Sequence, residues 1–215
     1  MTIFSDLSAH GVVPVIALDD ATKAVPLADA LIEGGLPVAE ITFRTDAAAA
    51  SIEAIAEARP EILLGAGTIL SNEQLDRARD AGARFALAPG LDPATVNHGR
   101  QTGIPFAPGI MTPSDLQAAI RAGCDFVKFF PAMPAGGPTM LKNVAAPYAH
   151  LDIGFNPTGG VTLDNLRDWL ALPQVRAVGG TWIASRDAIA SGDWSGITAK
   201  ARAAVTCVAE LRGTS

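Results

Sequence analysis

The chain has 215 residues, 49% of them apolar, and a formal net charge of −6. That length suffices for one large core, and an acidic balance without any basic patch argues against a nucleic-acid partner. No apolar stretch nears the ~20 residues that span a bilayer, and no basic segment followed by an apolar one opens the chain. A soluble cytoplasmic protein is expected, with no membrane partner.

In chain order, residues 2–10 are expected to form a short helix. Beyond it, apolar runs alternate with longer amphipathic stretches. The runs are Val12–Leu18, Val38–Phe43, Ile62–Ile69, Phe85–Pro89, Ile104–Ile110, Phe126–Ala132, Asp152–Thr158 and Val175–Ile183, eight in all. Helix starts are marked by Ser71, by Asp92-Pro93, by Thr112-Pro113-Ser114-Asp115 and by Thr162-Leu163-Asp164, which supply caps and early acids. Glycine marks the stops at Gly35, Gly82, Gly103 and Gly123, where a left-handed terminus needs a residue without Cβ. Such alternation predicts parallel strands with crossover helices. Eight units favour closure into a (β/α)₈ TIM barrel, one domain over residues 1–215 with a short N-terminal helix across its bottom. An open doubly wound sheet is the alternative, but Asp19-Asp20-Ala21-Thr22 after the first run is not a nucleotide-binding turn. A break at Ser191-Gly192-Asp193 divides the last helical region in two.

Two strands carry an intruding charge. Lys128, one of only four lysines, sits in Phe126-Val127-Lys128-Phe129-Phe130-Pro131 and shares a strand face with Phe126 and Phe130. An ammonium among aromatic rings is costly unless paired or neutral, and a neutral amine is a nucleophile towards ketones, the chemistry of a Schiff base. A snorkelling lysine or a structural ion pair is the alternative. Glu40 interrupts Val38-Ala39-Glu40-Ile41-Thr42-Phe43 in the same way. It is a candidate proton shuttle, or else the other half of a Glu40–Lys128 ion pair.

In a barrel, the carboxyl ends of the strands carry the chemistry. Arg44 follows the second strand, and its planar fork suits a carboxylate, although a solvated arginine is the commoner fate. Gly65-Ala66-Gly67-Thr68 ends the third with room for close approach and then a hydroxyl. Pro89-Gly90 and Pro108-Gly109 are turn signals that become pocket walls only in a barrel. Pro157-Thr158-Gly159-Gly160 and Gly179-Gly180-Thr181 fall in the loops where barrels bind phosphate through backbone N–H groups and helix N-termini. His10, His98 and His150 form no ligand pair, so no metal site is expected. Cys124 and Cys207 have neither metal-ligand nor disulfide spacing and read as small apolar residues.

The segments Glu40-Ile41-Thr42-Phe43-Arg44-Thr45, Gly65-Ala66-Gly67-Thr68, Lys128-Phe129-Phe130-Pro131-Ala132, Pro157-Thr158-Gly159-Gly160 and Gly179-Gly180-Thr181-Trp182 occur in that order. Together they resemble the KDPG/KHG aldolase family, from about Val12 to the final helix. The resemblance implies a class I aldolase without metal or organic cofactor. It would cleave 2-dehydro-3-deoxy-6-phosphogluconate to pyruvate and glyceraldehyde 3-phosphate, the Entner–Doudoroff step, as a homotrimer. It implies Lys128 as the Schiff-base residue and Glu40 as general acid/base. Arg44 and Thr68 would hold the pyruvyl carboxylate, and Pro89 and Phe130 would wall that end. Thr158 would meet the hydroxylated middle of the substrate, while Gly159, Gly160, Gly179, Gly180 and Thr181 cradle its phosphate. Family members commonly have serine at the position of Thr181, so the extra methyl bears on the phosphate end.

Two alternatives share this chemistry: 4-hydroxy-2-oxoglutarate aldolase, whose substrate ends in a carboxylate, and the enzyme for the C4-epimeric 2-dehydro-3-deoxy-6-phosphogalactonate. Two belong to other classes. One is a sugar-phosphate isomerase barrel in which Lys128 and Glu40 act without covalency; the other is a barrel that only binds a sugar phosphate.

Overall fold

The computed structural model describes residues 3–213; of the expected N-terminal helix, Thr2 lies outside the described residues. In chain order the elements are α1 (Ile3–His10), β1 (Val12–Ile16), α2 (Ala24–Glu33), β2 (Val38–Thr42), α3 (Ala48–Ala58), β3 (Leu63–Gly67), α4 (Asn72–Asp80), β4 (Phe85–Leu87), α5 (Pro93–Thr102), β5 (Phe106–Ala107), β6 (Gly109–Ile110), α6 (Pro113–Arg121), β7 (Phe126–Phe129), α7 (Gly137–Ala145), β8 (Gly154–Pro157), α8 (Leu166–Leu170), β9 (Val178–Gly180), α9 (Arg186–Ser191) and α10 (Trp194–Arg212). No helix among the described residues is long and apolar enough to cross a membrane.

The helix signals act as their chemistry dictates. Ser71 accepts from Gln74 N, Asp92 from Ala94 N and Thr95 N, and Thr112 makes a reciprocal capping box with Asp115. Gly35, Gly82, Gly103 and Gly123 all turn to positive φ, between 77° and 102°, where a Cβ would be strained. The expected break is real: α9 ends at Ser191, Gly192 has φ 72°, and Asp193 caps α10. One start is displaced. The helix expected from Thr162 begins only at Leu166, because Asn165 accepts from Thr162 N (2.9 Å) and donates to Gly160 O (3.0 Å). These two bonds close residues 160–165 into a turn instead of a first helical turn.

Every ladder is parallel, as the crossovers require. The strands form a curled sheet in two pieces, β5-β4-β3-β2-β1-β9 and β6-β7-β8. The fifth apolar run supplies both β5 and β6. Pro108 between them has no N–H to give, although its carbonyl accepts from Lys128 N at 2.9 Å. Between β8 and β9 only isolated bridges run, Thr158 to Gly179 and Phe155 to Val175.

The strands are buried because both faces are covered. Phe85, Phe129, Phe155 and Ile41 are inaccessible to solvent within one core that also takes the inner faces of the helices. Burying each such side chain contributes about 1.5–3 kcal/mol. Helix α1 crosses the amino end of β7, where Phe4 stacks on Phe126 with ring centroids 4.5 Å apart. Cys207 is buried, and burial pushes the half-buried Cys124 thiol up to about 11, so Cys124 stays protonated at neutral pH.

Candidate active site

Lys128 lies on β7, in register with Gly109 on one side and Asn156 on the other. Its apolar flanks Val127 and Phe129 point into the sheet-helix core, so alternation turns the amine to the inside of the curl. Glu40, on β2, projects into the same space. The two meet there, Nζ to Oε1 at 3.0 Å, with Lys128 only 4% exposed and Glu40 not exposed at all. The second carboxylate oxygen, Oε2, is buried without a hydrogen-bond partner among the described residues. A carboxylate with one committed and one unused oxygen beside a buried amine has the valence to move protons. The Phe130 ring stands over the amine, its centroid 6.0 Å from Nζ, and is itself 36% exposed.

The space that holds this pair exists because β3 has no side chain there. A Cβ on Gly67 would collide with Glu40 Oε1, and one on Gly65 with the Phe85 ring. The next residue, Thr68, has φ 56°. For a β-branched residue this is an outlier that costs about 1–3 kcal/mol and is held by its surroundings.

A cavity of about 200 Å³ opens above the amine. Lys128, Arg44, Thr68, Pro89, Phe130, Thr158, Gly159, Gly160, Gly179, Gly180 and Thr181 all line it. Of the site residues expected from the sequence, Glu40 alone is absent from the lining, because it lies behind Lys128. Val15, Thr42 and Val161 complete the wall without having been anticipated. Thr42 is more than wall. Its buried hydroxyl donates to Ile16 O (2.8 Å) and accepts from Arg44 Nε (3.1 Å). This bond pins the guanidinium by its inner nitrogen and leaves both terminal nitrogens for a planar anion. Thr42 was legible as a polar residue in an apolar strand.

The far wall is made of backbone. Gly159 (φ 102°) and Gly160 (φ 76°) follow Thr158, and Gly179-Gly180 lie across from them. A Cβ on Gly179 would overlap Thr158 Oγ1, and one on Gly180 the Trp182 ring. Among the described residues, the N–H groups of Gly160 and Val161 find no backbone acceptor. The helices beyond are remote, starting at Leu166 and Arg186, so this wall offers loop amides more than helix ends. Among the described residues no three His, Cys, Asp or Glu side chains gather as a metal-ligand set.

A family model described as KDPG and KHG aldolase matches residues 3–200. A 2-dehydro-3-deoxy-phosphogluconate aldolase from Treponema pallidum (strain Nichols) is 44% identical over 199 residues, 93% of this chain and 94% of the relative. Among solved structures, a KDPG aldolase from Legionella pneumophila, with pyruvate captured at low pH as a covalent carbinolamine intermediate, superposes with a TM-score of 0.90. It is 37% identical, over 95% of this chain and 98% of that one. The 2-keto-3-deoxy-6-phosphogluconate aldolase of Zymomonas mobilis ZM4, with 3-phosphoglycerate, gives a TM-score of 0.87 at 35% identity, over 94% of each chain.

Proposed function

From its membership of the KDPG and KHG aldolase family, to which this chain belongs, we infer the activity: it is a class I aldolase that cleaves 2-dehydro-3-deoxy-6-phosphogluconate to pyruvate and glyceraldehyde 3-phosphate, in the Entner–Doudoroff pathway. The observation that carries the mechanism is the buried Lys128–Glu40 pair at the floor of a cavity, with a cation on one wall and glycine turns on the other.

In this reading Glu40 takes a proton from Lys128 across their hydrogen bond, and the amine attacks the C2 ketone. Glu40 delivers that proton to the ketone oxygen, then relays a second one from the attacking nitrogen to the same oxygen, which leaves as water, and a cationic imine remains. Glu40, directly or through a water, then removes the C4 hydroxyl proton. The C3–C4 bond breaks, its electrons pass into the imine, and the aldehyde departs. The enamine is protonated at C3 and hydrolysed, which releases pyruvate and the free lysine.

Arg44 and Thr68 hold the carboxylate, Pro89 and Phe130 wall the pyruvyl end, and Thr158 meets the hydroxylated middle. The amides of Gly159, Gly160, Gly179, Gly180 and Thr181 take the phosphate. With both ends held, the reacting bond lies over the amine. The two sheet pieces, joined through Pro108 and by the Thr158–Gly179 bridge, support a closed eight-stranded barrel as one domain. The protein works in the cytoplasm. It assembles as a homotrimer, a reading supported by the exposed apolar side chains of Leu70 (64%) and Met111 (40%).

Treatment with pyruvate and borohydride tests the mechanism. A stable adduct is expected on Lys128, and Lys128→Ala loses cleavage by roughly 10³-fold or more. An adduct on another residue, or full activity in that variant, overturns the assignment. The family also includes KHG aldolases, and equal cleavage of 4-hydroxy-2-oxoglutarate would displace the phosphorylated substrate as the preferred reading.

A further inference from the structure

Asn156 takes no part in the reaction as derived, yet it is the polar side chain nearest in register to the amine. It pairs with Lys128 across β7 and β8 and has no solvent exposure. A buried carboxamide in the interior of a parallel sheet is costly unless its hydrogen bonds are used. Here one half is used and one is not. Oδ1 accepts from the Thr158 hydroxyl at 2.8 Å, while Nδ2 has no partner among the described residues. Both side chains press on the β9 backbone, where a Cβ on Gly179 would stand 3.1 Å from Asn156 Oδ1 and would overlap Thr158 Oγ1.

A hydroxyl has one proton and two lone pairs. The Thr158 proton is committed to Asn156, so the hydroxyl of this cavity-lining residue has only lone pairs left to offer. We propose that Asn156 is a positioning residue that makes Thr158 a one-way acceptor, so that the site selects aldehydes carrying a hydroxyl next to the reacting carbon. Such a hydroxyl donates to Thr158; a deoxy aldehyde leaves a buried acceptor unpaired and is disfavoured. Gly179 belongs to the device, since a side chain there would occupy the space in which Thr158 Oγ1 stands. The proposal rests on the aldolase reading and on Thr158 facing the middle of the substrate.

The test compares pyruvate addition to glyceraldehyde 3-phosphate and to 3-oxopropyl phosphate, which lacks the hydroxyl. Deuterium exchange into the pyruvate methyl group is followed alongside, because it needs only the lysine and the pyruvyl end. In Asn156→Leu, kcat/KM for glyceraldehyde 3-phosphate is expected to fall by about tenfold, with the deoxy aldehyde and methyl exchange changed less than about threefold. In a Thr158→Val background the same substitution is expected to add nothing. Asn156→Ser, too short to reach the hydroxyl, is expected to give the same loss of selectivity and serves if the leucine does not fold. Equal losses on both aldehydes, or an undiminished effect in the Thr158→Val background, overturn the proposal. Loss of methyl exchange in the unaltered protein instead overturns the aldolase reading itself.

Discussion

The two walls of the cavity are built on opposite plans. On the proposed pyruvyl side, Glu40, Thr42 and Lys128 stand on β2 and β7, and each is buried with a named partner. On the proposed phosphate side the wall is backbone, from the loop residues Gly159, Gly160 and Thr181 and from Gly180 at the end of β9, with Gly160 and Thr181 exposed. In the proposed mechanism the first plan fixes the atoms that would move protons and form a bond, where misplacement by 1 Å costs about a hundredfold. The second offers donors to a distal group that only has to be held. In the proposed function, chemistry therefore rides on strand interiors and anchoring on loops and the end of a strand. The first wall should be sensitive to crowding and lost hydroxyls, and the second to what bends its backbone.

The sharpest way to break that contrast is to crowd the first wall with a single methyl group. Gly67→Ala places a Cβ against Glu40 Oε1, so the carboxylate must leave its position beside Lys128. Cleavage and methyl exchange are both expected to fall by about a hundredfold or more. Retention of exchange would show that Glu40 is free to work from elsewhere. Thr42→Val comes next. It removes the hydroxyl that pins Arg44 and leaves Ile16 O without that donor. Steady-state kinetics should show KM for pyruvate raised roughly tenfold with kcat within about threefold, and Thr42→Ser restoring both. A fall confined to kcat would mean that Thr42 serves the chemistry and not the carboxylate.

On the second wall, Gly159→Ala meets no atom closer than 3.4 Å, so only its φ of 102° resists. That strain costs roughly 1–2 kcal/mol. As the loop relaxes, KM for the phosphorylated substrate is expected to rise about tenfold while methyl exchange stays unchanged. Loss of exchange here would erase the distinction between the walls.

The same contrast governs how much was legible in the sequence. The pyruvyl wall announces itself because a charge in an apolar strand is improbable without a reason, which exposes Lys128 and Glu40 directly. Thr42 and Asn156 obey that rule more quietly. Threonine is at home in strands, and Asn156 lies within the run Asp152–Thr158 and the strand β8 that forms there, without a charge to single it out. The glycine stops were legible because a left-handed terminus has one preferred residue. The φ of 56° at Thr68 was not, since nothing local favours it and only the packed neighbourhood holds it. The late start of α8 was hidden for a similar reason. Thr162 and Asp164 are good caps, and what overrides them is the Asn165 carboxamide bonded to Thr162 N and Gly160 O. The split of the single expected run Ile104–Ile110 into β5 and β6 was not foreseen, although Pro108, which cannot donate to a ladder, marks where it falls.

The smallest effect is expected at Thr181, the one side chain with a hydroxyl at the outer edge of the glycine wall. If loop amides hold the phosphate, its methyl group has little to add: the residue is exposed, and its hydroxyl survives in Thr181→Ser. That variant should change KM for the phosphorylated substrate by less than about threefold, within the roughly ±0.5 kcal/mol usual for surface substitutions. Removing the hydroxyl as well, in Thr181→Val, should cost about tenfold, the value of one hydrogen bond to a charged group. A change of tenfold or more in the serine variant alone would mean that the methyl shapes the phosphate end. The second wall would then read its ligand through side chains, like the first, and the division between strand-borne chemistry and loop-borne anchoring would fail at its outer edge.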